Sequence, residues 1–339
     1  MPEIVSPDTT SALIDQAIGL LKAGQLIGLP TETVYGLAAD ANNPEAVAKI
    51  FAAKGRPADH PLIVHLGADE LLSHYAREIP ESAWALAEAF WPGPLTLILK
   101  KAPGVPDLVT GGQDTVGVRI PGHPIALALL RAFAQVNPTG GGLAAPSANK
   151  FGRISPTAAA HVVTELGSAV SLVLDGGDCQ VGIESTIVDL SRGAPAILRP
   201  GAITAEQIEL VLGQTLIAPV NNSESIEEAA PRVSGSLASH YAPLTPLTVL
   251  PLNAIVAALA SGSAAAIVRD TAELPAGMRQ HPDVAVLAEQ PAGYAHDFYR
   301  VLRALDAKGY DHIYVQALPD TLAWLAVSDR LGRAAHRES

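Results

Sequence analysis

The 339-residue chain carries 22 Lys and Arg against 34 Asp and Glu, a net charge of −12, and 48% of its residues are apolar. That length suggests roughly two domains at ~150 residues each, and the acid excess argues against an extended nucleic-acid footprint, which needs a basic face. The one cysteine, Cys179, excludes a disulfide framework or thiolate metal site. No signal pattern or bilayer-length apolar run of ~20 residues is visible, so the expectation is a soluble cytoplasmic protein with no membrane partner.

The spacing of Leu13, Ile14, Ala17, Ile18 and Leu21 predicts a helix, with Gly24 placed to end it. A strand follows over Leu26–Leu29. It stops at Pro30, and Thr31, Glu32 and Thr33 then offer hydrogen-bonding side chains where α/β proteins place ligands, before Gly36 is read as a turn. Asn43-Pro44-Glu45 opens a helix by cap and proline, and its end near Ala53 delivers Lys54-Gly55-Arg56-Pro57. Strands are expected over 61–66, 95–100 and 115–120, with helices over 81–90 and 124–134.

A short apolar run, Leu143–Ala145, leads into Pro146-Ser147-Ala148-Asn149, and Ser155-Pro156 is read as another helix start. Strands over 172–174, 186–190 and 196–198 precede a helix capped by Thr204 with Gln207 three residues on. Residues 218–246, rich in Pro, Asn, Ser and Glu, read as a linker. Beyond it, strands over 247–250, 264–268, 284–287 and 312–315 alternate with helices over 254–260, 294–307 and 321–331. That pattern predicts a second, mainly parallel sheet.

No phosphate-binding glycine-lysine loop or dinucleotide fingerprint occurs. Gly140-Gly141-Gly142 follows no strand and reads as a turn rather than a phosphate cradle. A lone Lys-Arg pair is ordinarily solvated surface, but Lys54 and Arg56 run straight into Asp59-His60-Pro61 and the strand ending at His65, so they face the sheet. Arg119 closes an apolar strand without an adjacent acid and needs an anion or a distant carboxylate. Arg199 ends another strand. Four cations at element ends of one domain suit a polyanion, each charge-assisted bond contributing roughly 1.5–3 kcal/mol. A nucleoside triphosphate held without a phosphate-binding loop is the candidate.

Taken in order, these segments resemble the YrdC family in its two-domain form. The matching pieces are residues 30–37, Lys54-Gly55-Arg56-Pro57 with 61–65, Trp91-Pro92-Gly93-Pro94-Leu95-Thr96, 116–121, 145–149, 184–189, Leu198-Arg199-Pro200-Gly201 and His240-Tyr241-Ala242-Pro243. The resemblance implies an α/β fold: a twisted mixed sheet with surrounding helices over 1–215, a linker or lid over 216–246, and a smaller Rossmann-like α/β domain over 247–339. It implies a nucleotidyltransferase that makes L-threonylcarbamoyl-adenylate and pyrophosphate from L-threonine, bicarbonate or CO2, and ATP. The product serves N6-threonylcarbamoyladenosine formation in tRNA through a separate downstream transferase.

By the same resemblance, Thr33, His65, Arg119, Ala145 and Ser185 line a threonine pocket. Arg56, His60, Thr115, Ser147, Ser155, Arg199 and Tyr241 contact ATP, and Lys54 and Asn149 stand near the reacting groups with Arg56 and Ser147. Mg²⁺ is expected to arrive on the ATP phosphates, with no metal site in the protein itself. Two departures stand out. His60 replaces a common asparagine, so a protonated imidazole near pH ~6.5 is expected to strengthen phosphate binding. Arg232-Val233-Ser234-Gly235-Ser236-Leu237 replaces a Ser-Pro-Gly-Met-like run upstream of His240.

Two rival readings are disfavoured by the sequence. An RNA-binding or ribosome-maturation module on the same concave surface is opposed by the charge of residues 1–201, 13 basic against 19 acidic, or −6. A carbamoyl transferase of the hydrogenase-maturation type is far longer and bears zinc-finger cysteines.

Overall fold

A computed structural model describes residues 3–5, 10–137, 140–216, 230–259 and 263–336. The linker expectations at Pro219, Asn221, Asn222, Ser223, Glu224, Glu227 and Glu228 lie outside the described residues.

Residues 3–199 supply one ten-stranded mixed sheet. In chain order its strands are β1 (Glu3–Val5), β2 (Ile27–Leu29), β3 (Gly36–Asp40), β4 (Ile63–His65), β5 (Leu95–Lys100), β6 (Thr115–Arg119), β7 (Leu143–Ala144), β8 (Leu172–Leu174), β9 (Thr186–Asp189) and β10 (Ala196–Arg199). In space the order is β1-β8-β2-β3-β7-β4-β6-β5-β9-β10. Parallel β4–β6 pairing sets His65 beside Arg119, and parallel β5–β9 pairing aligns Leu95 with Thr186. The ends of strands far apart in sequence therefore open onto one cleft.

The second sheet is all-parallel, β11 (Leu247–Leu250), β12 (Ala264–Arg269), β13 (Val284–Leu287) and β14 (His312–Gln316), ordered β11-β14-β12-β13. Its core packs Ala265, Ile267, Ile313 and Val315 against Phe298, Leu302 and Leu331. These residues come from helices Pro291–Asp306 and Leu325–Ala335. No described helix is long and apolar enough to cross a membrane.

Local chemistry delivers the cations to the cleft. Asn43 accepts hydrogen bonds from the amides of Glu45 and Ala46, starting the helix Pro44–Lys54. Gly55 ends that helix with φ +65°, and the Arg56 amide folds back onto the Phe51 carbonyl at 3.1 Å. The chain thus reverses between Lys54 and Arg56, so both side chains turn inward.

Two sequence expectations change. Gly36 does not make the turn; it begins β3, antiparallel to β2. The turn lies at Thr31–Val34, where the Thr31 hydroxyl donates to the Val34 carbonyl at 2.6 Å. Gly36 is needed for close approach instead, since a Cβ there would sit 3.2 Å from that of Ala145. β3 went unread because it has no β-branched residue and is buried almost throughout, so no alternation marks it.

Ser155-Pro156 also starts no helix. The helix runs Ala159–Leu166 without a side-chain cap, because the Ser155 hydroxyl is spent on Glu184 at 2.5 Å. The glycine triplet is a turn, with φ +116° at Gly140 and +61° at Gly141, and the Gly142 amide is already taken by Tyr75 Oη at 2.8 Å.

Candidate active site

Strand ends and linker enclose a cavity of about 40 Å³, room for two or three waters. Thr33, His65, Arg119, Ala145 and Ser185 line it, as do Arg56, Ser147, Arg199 and Tyr241. The linker covers it through Ser234, Gly235, His240 and Tyr241.

On the first wall, Arg119 donates through Nε to the Gly93 carbonyl (3.1 Å) and through a terminal nitrogen to Thr33 Oγ1 (2.9 Å). The other terminal nitrogen pairs with Glu32 at 2.7 Å, the distant carboxylate that a strand-borne arginine requires. A guanidinium has five N–H bonds, so with three used, two remain for a ligand. His65 is buried beside Arg119, and burial, then that charge, push its pKa down to about 3. Its Nδ1 lies 3.3 Å from the Ile63 carbonyl, which assigns the proton to Nδ1 and leaves Nε2 as an acceptor.

The second wall is built differently. Arg199 grips Ser185 twice, Nε to the carbonyl (3.0 Å) and a terminal nitrogen to Oγ (3.1 Å), and spends its third bond on the Ser234 carbonyl (2.8 Å). Arg56 bonds the Pro61 carbonyl (2.9 Å) and Ser234 Oγ (3.0 Å). Its Nε is buried without a hydrogen bond, as is Tyr241 Oη. Burial lowers the Arg56 pKa to about 10, so it stays charged at neutral pH. Neither Arg56 nor Arg199 has an ion-pair partner among the described residues. Tyr241 holds φ +60°, an uncommon conformation for a side chain of this size.

The remaining expected residues sit off the wall. Lys54, 2% exposed, donates to the carbonyls of Ser147 (2.5 Å) and Asn149 (2.6 Å) and so anchors the turn that presents Ser147. Asn149 itself bonds the carbonyls of Lys150 and Arg153. Ser155 stands behind Glu184. Thr115 lines a neighbouring cavity of about 10 Å³ with Ile63 and Ser234.

His60 packs edge-on to Phe151 at 5.3 Å, and Phe151 meets His240 at 6.0 Å. Burial, then Arg56, lowers the His60 pKa. Sequence reading missed Glu184 as a cavity residue. Burial pushes its carboxyl up, but Arg330, Arg199 and Ser155 outweigh that and hold it below the usual range. Only its place beside Ser185 in the 184–189 segment pointed there.

Buried arginines at strand ends, Arg56 and Arg199 without an ion pair among the described residues and none beside a phosphate-binding loop, make a cleft suited to anionic ligands. Residues 19–201 match the Sua5/YciO/YrdC family, described as telomere recombination, and residues 203–336 match the threonylcarbamoyl-AMP synthase C-terminal domain. The chain is 38% identical over 328 residues to the threonylcarbamoyl-AMP synthase of Pyrococcus abyssi, covering 94% of this chain and 93% of that one. For the Bacillus subtilis threonylcarbamoyl-AMP synthase the figures are 39% over 347 residues, 96% and 94%.

The crystal structure of P. abyssi Sua5 complexed with L-threonine aligns with TM-score 0.85 and 36% identity, over 99% of this chain and 97% of that one. The chain belongs to this two-domain Sua5/YrdC family of threonylcarbamoyl-AMP synthases.

Proposed function

We propose that the chain condenses L-threonine, CO2 and ATP into threonylcarbamoyl-AMP, releasing pyrophosphate and a proton; the water of the overall reaction leaves when bicarbonate is dehydrated to CO2. The observation that carries this reading is the pairing inside one cleft of Arg119, with two N–H bonds to spare, and Arg56 and Arg199, which have only neutral partners. The first suits an amino-acid carboxylate. The second pair suits a triphosphate.

Threonine's amine attacks the carbon of CO2 and loses a proton; a carbamate oxygen then attacks the α-phosphorus and pyrophosphate leaves. His65 is too weak a base to hold that proton at neutral pH, so its Nε2 acts as a hydrogen-bond acceptor that orients threonine. Catalysis is positioning and charge neutralisation. Among the described residues no cluster of three or more His, Cys, Asp or Glu can hold a metal ion. Mg²⁺ is expected to enter on the triphosphate as part of the substrate.

Ser234 occupies Arg56 and Arg199, so the linker carrying it withdraws from the arginines for the nucleotide to enter. The product is a mixed anhydride that hydrolyses in water, which suits direct hand-over to a tRNA-modifying transferase in the cytoplasm.

Incubation with ATP, bicarbonate and threonine should release pyrophosphate only when all three are present, with the adenylate detected by mass. Threonine-independent release sinks the reading. Salt-sensitive RNA binding without ATP binding would favour the RNA-binding alternative instead.

A further inference from the structure

Arg330, on helix Leu325–Ala335 of the second domain, is the largest fully buried side chain among the described residues. Its Nε donates to Glu184 Oε2 at 2.8 Å, one terminal nitrogen to the Glu184 carbonyl at 3.3 Å, and the other to Asp329 at 2.7 Å. The same guanidinium lies 5.4 Å from the centre of the Tyr241 ring. Glu184 in turn accepts from Ser155 through Oε1 and from Tyr299 at 3.1 Å.

One turn further along the helix, Arg333 pairs with Asp329 and donates to the Leu237 carbonyl, while its own carbonyl accepts from the His240 amide at 3.3 Å. A single helix thus touches both a cavity-lining carboxylate of the first domain and the linker that covers the cavity.

A buried ion pair is a weak stabiliser compared with apolar packing of equal volume. Stability alone is therefore a poor account of a fully buried arginine bonded at once to a cavity wall and its cover. We propose that Arg330 is a positioning residue for the nucleotide half of the site, through which the second domain sets Glu184 and Ser155 on one side and Tyr241 on the other. Among the described residues Arg119, Thr33 and His65 make no hydrogen bond or ion pair with Arg330; of the residues expected at threonine only Ser185 adjoins its partner Glu184. This rests on the assignment of ATP to the second wall.

Titration calorimetry of the full chain with ATP and, separately, with L-threonine tests it. For Arg330→Lys, which keeps the charge and loses the fork, the expected ATP dissociation constant rises at least about tenfold and that of threonine changes less than about twofold. Arg330→Met combined with Glu184→Gln removes both charges at similar volume, supplies a folded variant should lysine fail, and is expected to show the same selectivity.

Arg279→Gln is the control for a merely structural role. It cuts a pair within the second domain, Arg279–Asp270, that touches neither Glu184, Ser155 nor the linker, and should leave both constants unchanged. Equal weakening of both ligands, or no weakening of ATP in a folded variant, overturns the proposal. Wild-type protein that binds ATP yet releases no pyrophosphate with threonine and bicarbonate breaks the proposed function and leaves the calorimetric comparison standing; wild type that binds no ATP overturns both.

Discussion

The two walls of the cleft solve the same problem, a buried arginine, by different means. On the threonine wall Arg119 is neutralised and oriented inside the first domain, by Glu32, Thr33 and the Gly93 carbonyl. On the nucleotide wall Arg56 and Arg199 lean on Ser234 of the linker, and the neighbouring Glu184 leans on Arg330 of the second domain. The first wall is finished before any ligand arrives. On the proposed assignment, the second is held in place by linker atoms that a nucleotide would displace, and it draws on three segments of chain where the first draws on one domain.

Arg119→Ala should break the comparison most visibly. Two charge-assisted bonds to the substrate carboxylate, at about 1.5–3 kcal/mol each, correspond to a loss in threonine affinity of roughly a hundredfold or more. ATP affinity should move by less than about threefold, and calorimetry with each ligand decides. Equal loss of both would show that the walls are not separate. The same variant strands Glu32 in the interior, which costs about 3–5 kcal/mol if the carboxylate stays charged. Adding Glu32→Gln should recover part of the lost urea midpoint.

Gly235→Ala sharpens the other side. Gly235 sits at φ +82°, and a Cβ there would land against Tyr241 Oη. The left-handed penalty of roughly 1–2 kcal/mol adds to that clash, so the linker should be pushed off the cleft. ATP affinity and turnover are expected to change while threonine binding holds. A variant with wild-type kinetics would mean that the linker is a passive cover. Tyr241→Ala should likewise lower turnover, and because the ring packs into the second domain's core it should lower the melting temperature as well.

A further effect is shared by both walls. His65 on the first wall and His240 on the linker are both pushed to about 3 by burial. The unfolded chain takes up these protons near pH ~6.5 and the folded chain only near 3. Their contribution to stability is therefore complete above 6.5 and drains away as pH falls from 6.5 toward 3. The urea midpoint should drop between pH 7 and 4, and His65→Gln should make that drop shallower. An unchanged slope would show that His65 takes its proton in the folded state.

Much of this was legible in the sequence, and the rest failed for physical reasons. Caps were readable because they are local: Asn43 and Thr204 bond amides two or three residues away. Arg119's need for a distant carboxylate was readable too, but not its identity, since Glu32 reaches it only through strand pairing. β3 was hidden by full burial, and Ser155 was misread as a cap because nothing local reveals that Glu184 claims its hydroxyl. The second domain's part in the site was invisible: Arg330 and Glu184 are 146 residues apart.

The central claim is that one cleft takes threonine on Arg119 and ATP on Arg56 and Arg199. A crystal structure with L-threonine and a non-hydrolysable ATP analogue tests it directly. The account predicts the threonine carboxylate on Arg119 and nucleotide phosphates in place of Ser234 on both other arginines. Nucleotide bound elsewhere, with Ser234 still bonded to Arg56 and Arg199, would contradict it.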